Sequence, residues 1–287
     1  MRAKTLKIGF IGTGTVANAL AIGLSNKGYP VVAVSSRSRE SAQKLARFIS
    51  GCKALPNKQK VADNADLIFI TTPDDVIASV AAELIWRSGQ SVVHCSGADS
   101  TDILEPARKG GALVGVFHPL QTFASQKQEN LPGITFTLEA EEPLLTILKK
   151  MATTLGGHWI EIKAGDKVIY HTAAVFACNY LITLVKMATD LWQSFNIPPE
   201  QATQALLPLL RGTINNIDAI GIPQCLTGPI ARGDAGTIKK HLSALQRVAP
   251  ELVATYQELG LNTIPIALAK GNISDKKAND LEAILSK

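Results

Sequence analysis

A chain of 287 residues, 46% hydrophobic and 18% charged, is long enough and apolar enough for one large globular domain or two ordinary ones. Its net charge of +5 is scattered without a Lys/Arg block and aromatic residues make up only 5%, which argues against a nucleic-acid surface and suits anionic small molecules. Four cysteines without a CxxC pair read as buried thiols in a reducing compartment; with no signal-peptide pattern and no uninterrupted apolar run of membrane length, the expectation is a cytoplasmic protein with no membrane partner.

Residues 6–11 predict a short buried strand that runs into Gly12-Thr13-Gly14-Thr15-Val16-Ala17 and then into a helical pattern. In that position the small residues acquire separate duties toward a dinucleotide. Gly12 makes the tight turn, Gly14 lets the backbone approach a pyrophosphate, and Ala17 takes the third glycine's place where helix packs on strand. The unpaired amides and dipole of the helix start would hold the phosphates. A second strand, 31–34, ends in Ser36-Arg37-Ser38-Arg39, with no carboxylate before Glu40 to bind a ribose 2′-hydroxyl. Hydroxyls and guanidinium groups suit a 2′-phosphate, so NADP is favoured over NAD; the competing reading is that Ser38 only caps the helix over 39–48.

Strands follow at 66–72, 91–95, 114–117, 134–138 and 158–162, with helices after Pro73 and from 143 to 155. This alternation predicts a doubly wound α/β domain over residues 1–164. Ligands in such sheets bind beyond the carboxyl ends of the strands, which puts Thr71, Thr72 and Pro73 beside the nicotinamide half and delivers Ser96, His118 and Gln121 to the same edge. From 165 to 287 the pattern is helical throughout, predicting an all-α second domain. Its first helix, expected over 166–195, is apolar nearly all round through 173–182, so it is expected to be buried on every side. His171 and Asn179 interrupt that helix eight positions apart, a spacing that lets both face one cleft. The five histidines show no metal-ligand spacing, so no metal is expected. Gly228 to Asp234 forms a loop in which Asp234 suits a helix N-cap, while Arg232 has no such duty and suits a substrate anion.

These residues together resemble Rossmann-like proteins with a DUF2520 C-terminal domain: Gly12-Thr13-Gly14, the Ser-Arg strand end, Cys95-Ser96-Gly97-Ala98, His118-Pro119-Leu120, Tyr170-His171…Asn179-Tyr180, and Gly228 through Asp234. The resemblance covers essentially the whole chain. It implies an architecture similar to ketopantoate reductase, pyrroline-5-carboxylate reductase and the C-terminal fold of 6-phosphogluconate dehydrogenase, an NADP-dependent oxidoreductase, and a homodimer formed through the helical domain. It brings no substrate with it. The Lys-then-Asn pair of β-hydroxyacid dehydrogenases is not reproduced, since His171 is followed four residues later by Val175 and the lysines Lys167 and Lys186 stand elsewhere. His118-Pro119 instead resembles the His-Pro motif of prephenate dehydrogenases. The functional expectation is a hydride transfer between nicotinamide and a small, anionic ketone, imine or alcohol. His118 or His171 would exchange the proton, Asn179 and Ser96 would orient the reacting group, and Arg232 and Gln121 would hold the substrate. The rival is a non-catalytic NADP-binding regulator, which would tolerate apolar residues at both histidines.

Overall fold

The computed structural model describes residues 6–124 and 131–287. By contact the chain divides into two compact units, Met1–Cys178 and Asn179–Lys287. The first unit contains, in chain order, β1 (Ile8–Ile11), α1 (Thr15–Asn26), β2 (Val31–Ser35), α2 (Arg39–Arg47), β3 (Lys53–Ala54), α3 (Lys58–Asn64), β4 (Leu67–Ile70), α4 (Asp74–Glu83), β5 (Ser91–His94), α5 (Glu105–Lys109), β6 (Leu113–Leu120), β7 (Thr135–Ala140), α6 (Leu144–Thr154), β8 (His158–Glu161) and α7 (Lys167–Ala177). The strands form one sheet in the order β3-β2-β1-β4-β5-β6-β7-β8. Only the β6–β7 pair is antiparallel among these neighbours. The chain leaves β1 toward β2 and β3 and then returns to β4, so the order reverses between β1 and β4. That reversal opens a crevice at the carboxyl ends of these two strands.

The sheet is covered on both faces, which is why β1 and β4 are fully buried apolar runs rather than alternating ones. On one face Phe10 stacks on Phe69 at 4.9 Å, Phe69 meets Phe117 edge-on at 5.9 Å, and Phe117 stacks on Phe136 at 4.6 Å. Offset-stacked and edge-to-face pairs of this kind add roughly 0.5–1.5 kcal/mol each beyond their burial. The opposite face buries Ile11, Ile68, Ile70 and Val92 under α3, α4 and α5. Sequence patterning misses β3 and α3, which are two and seven residues long. It ends the α/β region at 164, where the sheet ends; the compact unit runs on through α7 because buried Lys167 and Tyr170 tie that helix to the sheet edge.

The second unit is helical: α8 (Asn179–Trp192), α9 (Pro199–Ile220), the single turn α10 (Pro229–Arg232), α11 (Ala235–Val248), α12 (Val253–Lys270) and α13 (Asp275–Leu285). Its core is Ile238, Ile264, Ala267, Ile273, Leu281 and Leu285. Pro208 sits inside α9 and Pro265 inside α12, without ending either helix. The helix expected over 166–195 is interrupted at Cys178, whose ψ of −64° caps α7. Its apolar middle is not buried on every side: Ile182 is 66% exposed, and on α9 Leu209 is 65% and Ile220 60% exposed. The stretch Ala164–Phe195 also reaches the length and mean hydropathy (1.6) of a membrane-crossing helix, contrary to the expectation that no run does. An apolar helix needs an apolar neighbour, and within the single chain this one lacks it on much of its surface.

Candidate functional site

The crevice between β1 and β4 is a cavity of about 530 Å³. Of the residues expected to hold a cofactor, Gly12, Thr13, Gly14, Ser36, Arg37, Thr71, Thr72 and Pro73 line it. Gly12 has φ +110°, and a Cβ there would lie 2.5 Å from the carbonyl oxygen of Thr71, so only glycine fits. Gly14 differs: its φ is −70°, and a Cβ would meet no atom within 4 Å. Thr71 latches the loop, donating its hydroxyl to the carbonyls of Ile11 and Gly12 at 3.2 Å each. Asn18 does the same from α1, donating to the carbonyls of Thr13 at 2.9 Å and Gly14 at 2.8 Å. The start of α1 has neither a side-chain cap nor an acidic residue in its first turn, which leaves its amides and positive dipole end for an anion. Two hydroxyls of the crevice, Ser35 Oγ and Thr72 Oγ1, are buried without a hydrogen-bond partner. Such atoms are costly unless a ligand completes them.

The remaining expected cofactor residues lie outside the cavity lining. Ala17 is fully buried where α1 meets the sheet, and Val16 packs against the same core. Ser38 accepts from the amide of Ser41 at 3.2 Å as the N-cap of α2, and Arg39 is exposed in that helix's first turn. Lys58, at the start of α3, lines the crevice with Arg37 and adds a second cation that sequence reading does not identify. Lys58 also pairs with Glu83.

A second constellation lies at the ends of β5 and β6. His94 is fully buried: its Nδ1 accepts from the amide of Ser96 at 3.1 Å and its Nε2 faces the carbonyl of Ser100 at 3.0 Å, pinning the turn between them. Ser96, expected to orient substrate, is 1% exposed, and its hydroxyl lies 2.8 Å from Asp74 Oδ2 and 2.9 Å from Asp99 Oδ2. It also accepts from the amides of Ala98 and Asp99, so the group is committed to the turn. Lys167, 1% exposed, donates to the carbonyl of Ser96 at 3.2 Å.

Beyond the end of β5, His118 and His171 converge on Gly97. A Cβ on Gly97 would lie 2.7 Å from His171 Nδ1 and 2.9 Å from His118 Nε2, so both nitrogens address the bare face of this glycine. Their rings are 6.4 Å apart and nearly perpendicular. His171 Nδ1 is buried without a partner, while His118 Nδ1 lies 2.8 Å from the hydroxyl of Tyr170. Burial pushes His118 down to about 4, helped by the charge of Lys167 and then by His171 and His94. Burial likewise lowers His94 to about 4 and lowers Lys167, against the pull of Glu139, Asp99 and Asp74. Tyr170 is raised by burial, with Thr137 acting the other way. Lys167, Tyr170 and His171 occupy positions i, i+3 and i+4 of one helix face. That spacing is readable in the sequence; what hides Lys167 is comparison with a Lys mechanism that expects it elsewhere.

Three more residues were expected at the site. Gln121 is exposed after β6, with its side-chain oxygen accepting from the amide of Thr122 at 2.8 Å. Asn179 and Arg232 belong to the second unit, both exposed, at the first residue of α8 and the last of α10. The interruption at Cys178 falls between His171 and Asn179, so regular helical spacing no longer relates them. Asp234 is the N-cap of α11, accepting from the amide of Thr237 at 3.0 Å and its hydroxyl at 2.7 Å. Among the described residues no three of His, Cys, Asp or Glu gather as a metal would require.

Two families match this architecture: the Rossmann-like domain over residues 1–119 and the domain of unknown function DUF2520 over residues 134–263. Residues 1–119 are thus a Rossmann-like domain and residues 134–263 a DUF2520 domain. Protein TM1727 of Thermotoga maritima is 28% identical, with a TM-score of 0.74 over 92% of this chain and 99% of its own. BF3122 of Bacteroides fragilis, whose suggested activity is that of an NADP oxidoreductase, is 27% identical, with a TM-score of 0.73 over the same shares. The 2-(hydroxymethyl)glutarate dehydrogenase of Eubacterium barkeri is 24% identical over 185 residues, 61% of this chain. That match spans 60% of the dehydrogenase's length.

Proposed function

We propose that this protein is an NADP-dependent reductase or dehydrogenase that transfers a hydride between nicotinamide and a small, anionic ketone, imine or alcohol. The observation that carries the reading is the convergence of two imidazole nitrogens on Gly97, at the sheet edge that also bears the dinucleotide loop. The relatives named above support the class of reaction. The crevice fits the cofactor: it offers two unpartnered buried hydroxyls, an open face at Gly14 and an uncapped helix start. The amides at the start of α1 would take the pyrophosphate, and Ser36, Arg37 and Lys58 the 2′-phosphate, which cations and hydroxyls suit better than a ribose hydroxyl. Bound there, the cofactor supplies the hydride.

The chain's own residues then have two tasks, to hold the reacting group and to move one proton. His118, neutral at physiological pH, holds the group by a hydrogen bond from the Gly97 side. His171, whose Nδ1 has no other partner, exchanges the proton. Lys167, Ser96 and His94 fix the turn that presents Gly97. Arg232 and Gln121 remain the candidates for a substrate's anionic group, and Asn179 for orienting the reacting atom. We also read the protein as a cytoplasmic homodimer. The exposed apolar surface of α8 and α9 supports the dimer, and four unpaired cysteines fit a reducing compartment. The test is NADPH oxidation against a panel of small 2-oxo and imino acids, using wild type, His171→Gln and His118→Gln. Turnover that both substitutions abolish at unchanged cofactor affinity supports the reading; turnover indifferent to both contradicts it. Cofactor binding that survives without any turnover points to the regulator instead.

A further inference from the structure

Which kind of reacting group the site prefers turns on the partner of His118 Nδ1. Tyr170 stands one position before His171 on α7, and its hydroxyl is the group that faces Nδ1, at 2.8 Å. The two rings meet edge-on at 5.7 Å. His118 pairs with Thr137 across the β6–β7 ladder, so its backbone is held by the sheet while the phenol fixes the ring. A phenol is a strong donor and a poor acceptor, and an unprotonated imidazole nitrogen is a good acceptor, so the favourable direction runs from Tyr170 Oη to His118 Nδ1. A neutral imidazole carries one proton; with Nδ1 accepting, that proton is on Nε2. Nε2 is the nitrogen turned toward Gly97.

We propose that Tyr170 is a positioning residue that locks His118 as an Nε2–H donor over Gly97, and that the site therefore takes a carbonyl oxygen in preference to a protonated imine. A carbonyl oxygen accepts from Nε2–H. A protonated imine presents its own N–H to the same point, and two donors face each other without an acceptor. In the reduction, the carbonyl carbon gains the hydride and its π electrons pass to oxygen. That oxygen, held by His118, would take a proton from His171, and nicotinamide bound in the crevice would supply the hydride, losing the two electrons that the carbonyl gains. The selectivity rests on the reductase reading; the tautomer does not.

The experiment is long-range ¹H–¹⁵N spectroscopy of the full-length protein labelled at histidine, with the His118 signals assigned through His118→Gln. The expected result is a single Nε2–H tautomer in wild type and a loss of that single state in Tyr170→Phe. An Nδ1–H tautomer in wild type overturns the proposal whether or not the protein binds NADPH. In steady-state assays Tyr170→Phe is expected to lower kcat on a 2-oxo acid by about 10-fold, the weight of one lost hydrogen bond, with NADPH affinity unchanged. Preferred turnover of a preformed imine over its parent ketone overturns the selectivity. Failure of NADPH to bind at all removes the reductase reading and leaves the tautomer result standing.

Discussion

The two glycines of the dinucleotide loop predict opposite outcomes for the same substitution. Gly12→Ala puts a methyl 2.5 Å from the Thr71 carbonyl oxygen and 2.9 Å from the Thr72 amide nitrogen, at a φ of +110° that alanine resists. Backbone strain and overpacking of this kind cost about 1–3 kcal/mol each, so the unliganded protein is expected to lose roughly 2–6 kcal/mol. Gly14→Ala meets no atom within 4 Å at a φ of −70°, open to any residue. The entropy gained by replacing glycine, about 0.4–1 kcal/mol, roughly offsets the loss of a good N-cap residue, so unliganded stability should change by less than about 1 kcal/mol. Its methyl instead occupies space next to the uncapped start of α1, where a pyrophosphate would approach. A misfit of about 1–3 kcal/mol there weakens NADPH roughly 5- to 150-fold. Urea denaturation gives the first quantity and fluorescence titration with NADPH the second. A Gly14→Ala protein that binds NADPH as wild type does would refute the placement of the cofactor.

Other consequences are as direct. Arg37→Ala should lower NADPH affinity roughly 10- to 100-fold, the scale of a lost charge-assisted hydrogen bond, while leaving NADH affinity unchanged; equal losses for both cofactors contradict its assignment to the 2′-phosphate. His171→Gln should lower kcat by about 10²–10⁴-fold with the fold intact, as judged by circular dichroism. Stability should fall as pH drops from about 6.5 toward 4. His94 and His118 have folded values near 4, below their ordinary 6.5, so the unfolded chain binds more protons across that window. Each contributes up to about 3 kcal/mol, and His118→Gln should flatten the midpoint-against-pH curve; a wild-type curve flat from pH 6.5 to 4 contradicts the burial argument. Ile182→Glu and Leu209→Glu, at exposed apolar positions of α8 and α9, should convert a dimer to a monomer in light scattering without lowering helix content.

The central strands were legible because they are buried on both faces and so read as apolar runs, such as Leu67–Ile70 before Thr71. Gly12 and Gly14 were legible from their place between strand and helix. Ser96 was located correctly at the strand end, but its role was not readable: the carboxylates that engage it, Asp74 and Asp99, lie 22 and 3 positions away. Lys58 was not readable either, because it follows a two-residue strand with no periodicity to detect. The 173–182 region misled for a different reason. Apolar composition predicts burial, but composition does not say whether the covering surface comes from the same chain. His118 was identified as a candidate, yet its partner Tyr170 lies 52 positions on, and only the fold brings the phenol to Nδ1.

The central claim, an NADP site in the crevice between β1 and β4, is tested most directly by titrating the purified full-length protein with NADPH and with NADH, following nicotinamide fluorescence and the thermal midpoint. The account predicts saturable binding with NADPH preferred by at least about 10-fold, the discrimination expected from one charge-assisted contact to the 2′-phosphate. NADH bound as tightly as NADPH would contradict the roles given to Ser36, Arg37 and Lys58, and binding of neither would contradict the oxidoreductase reading itself.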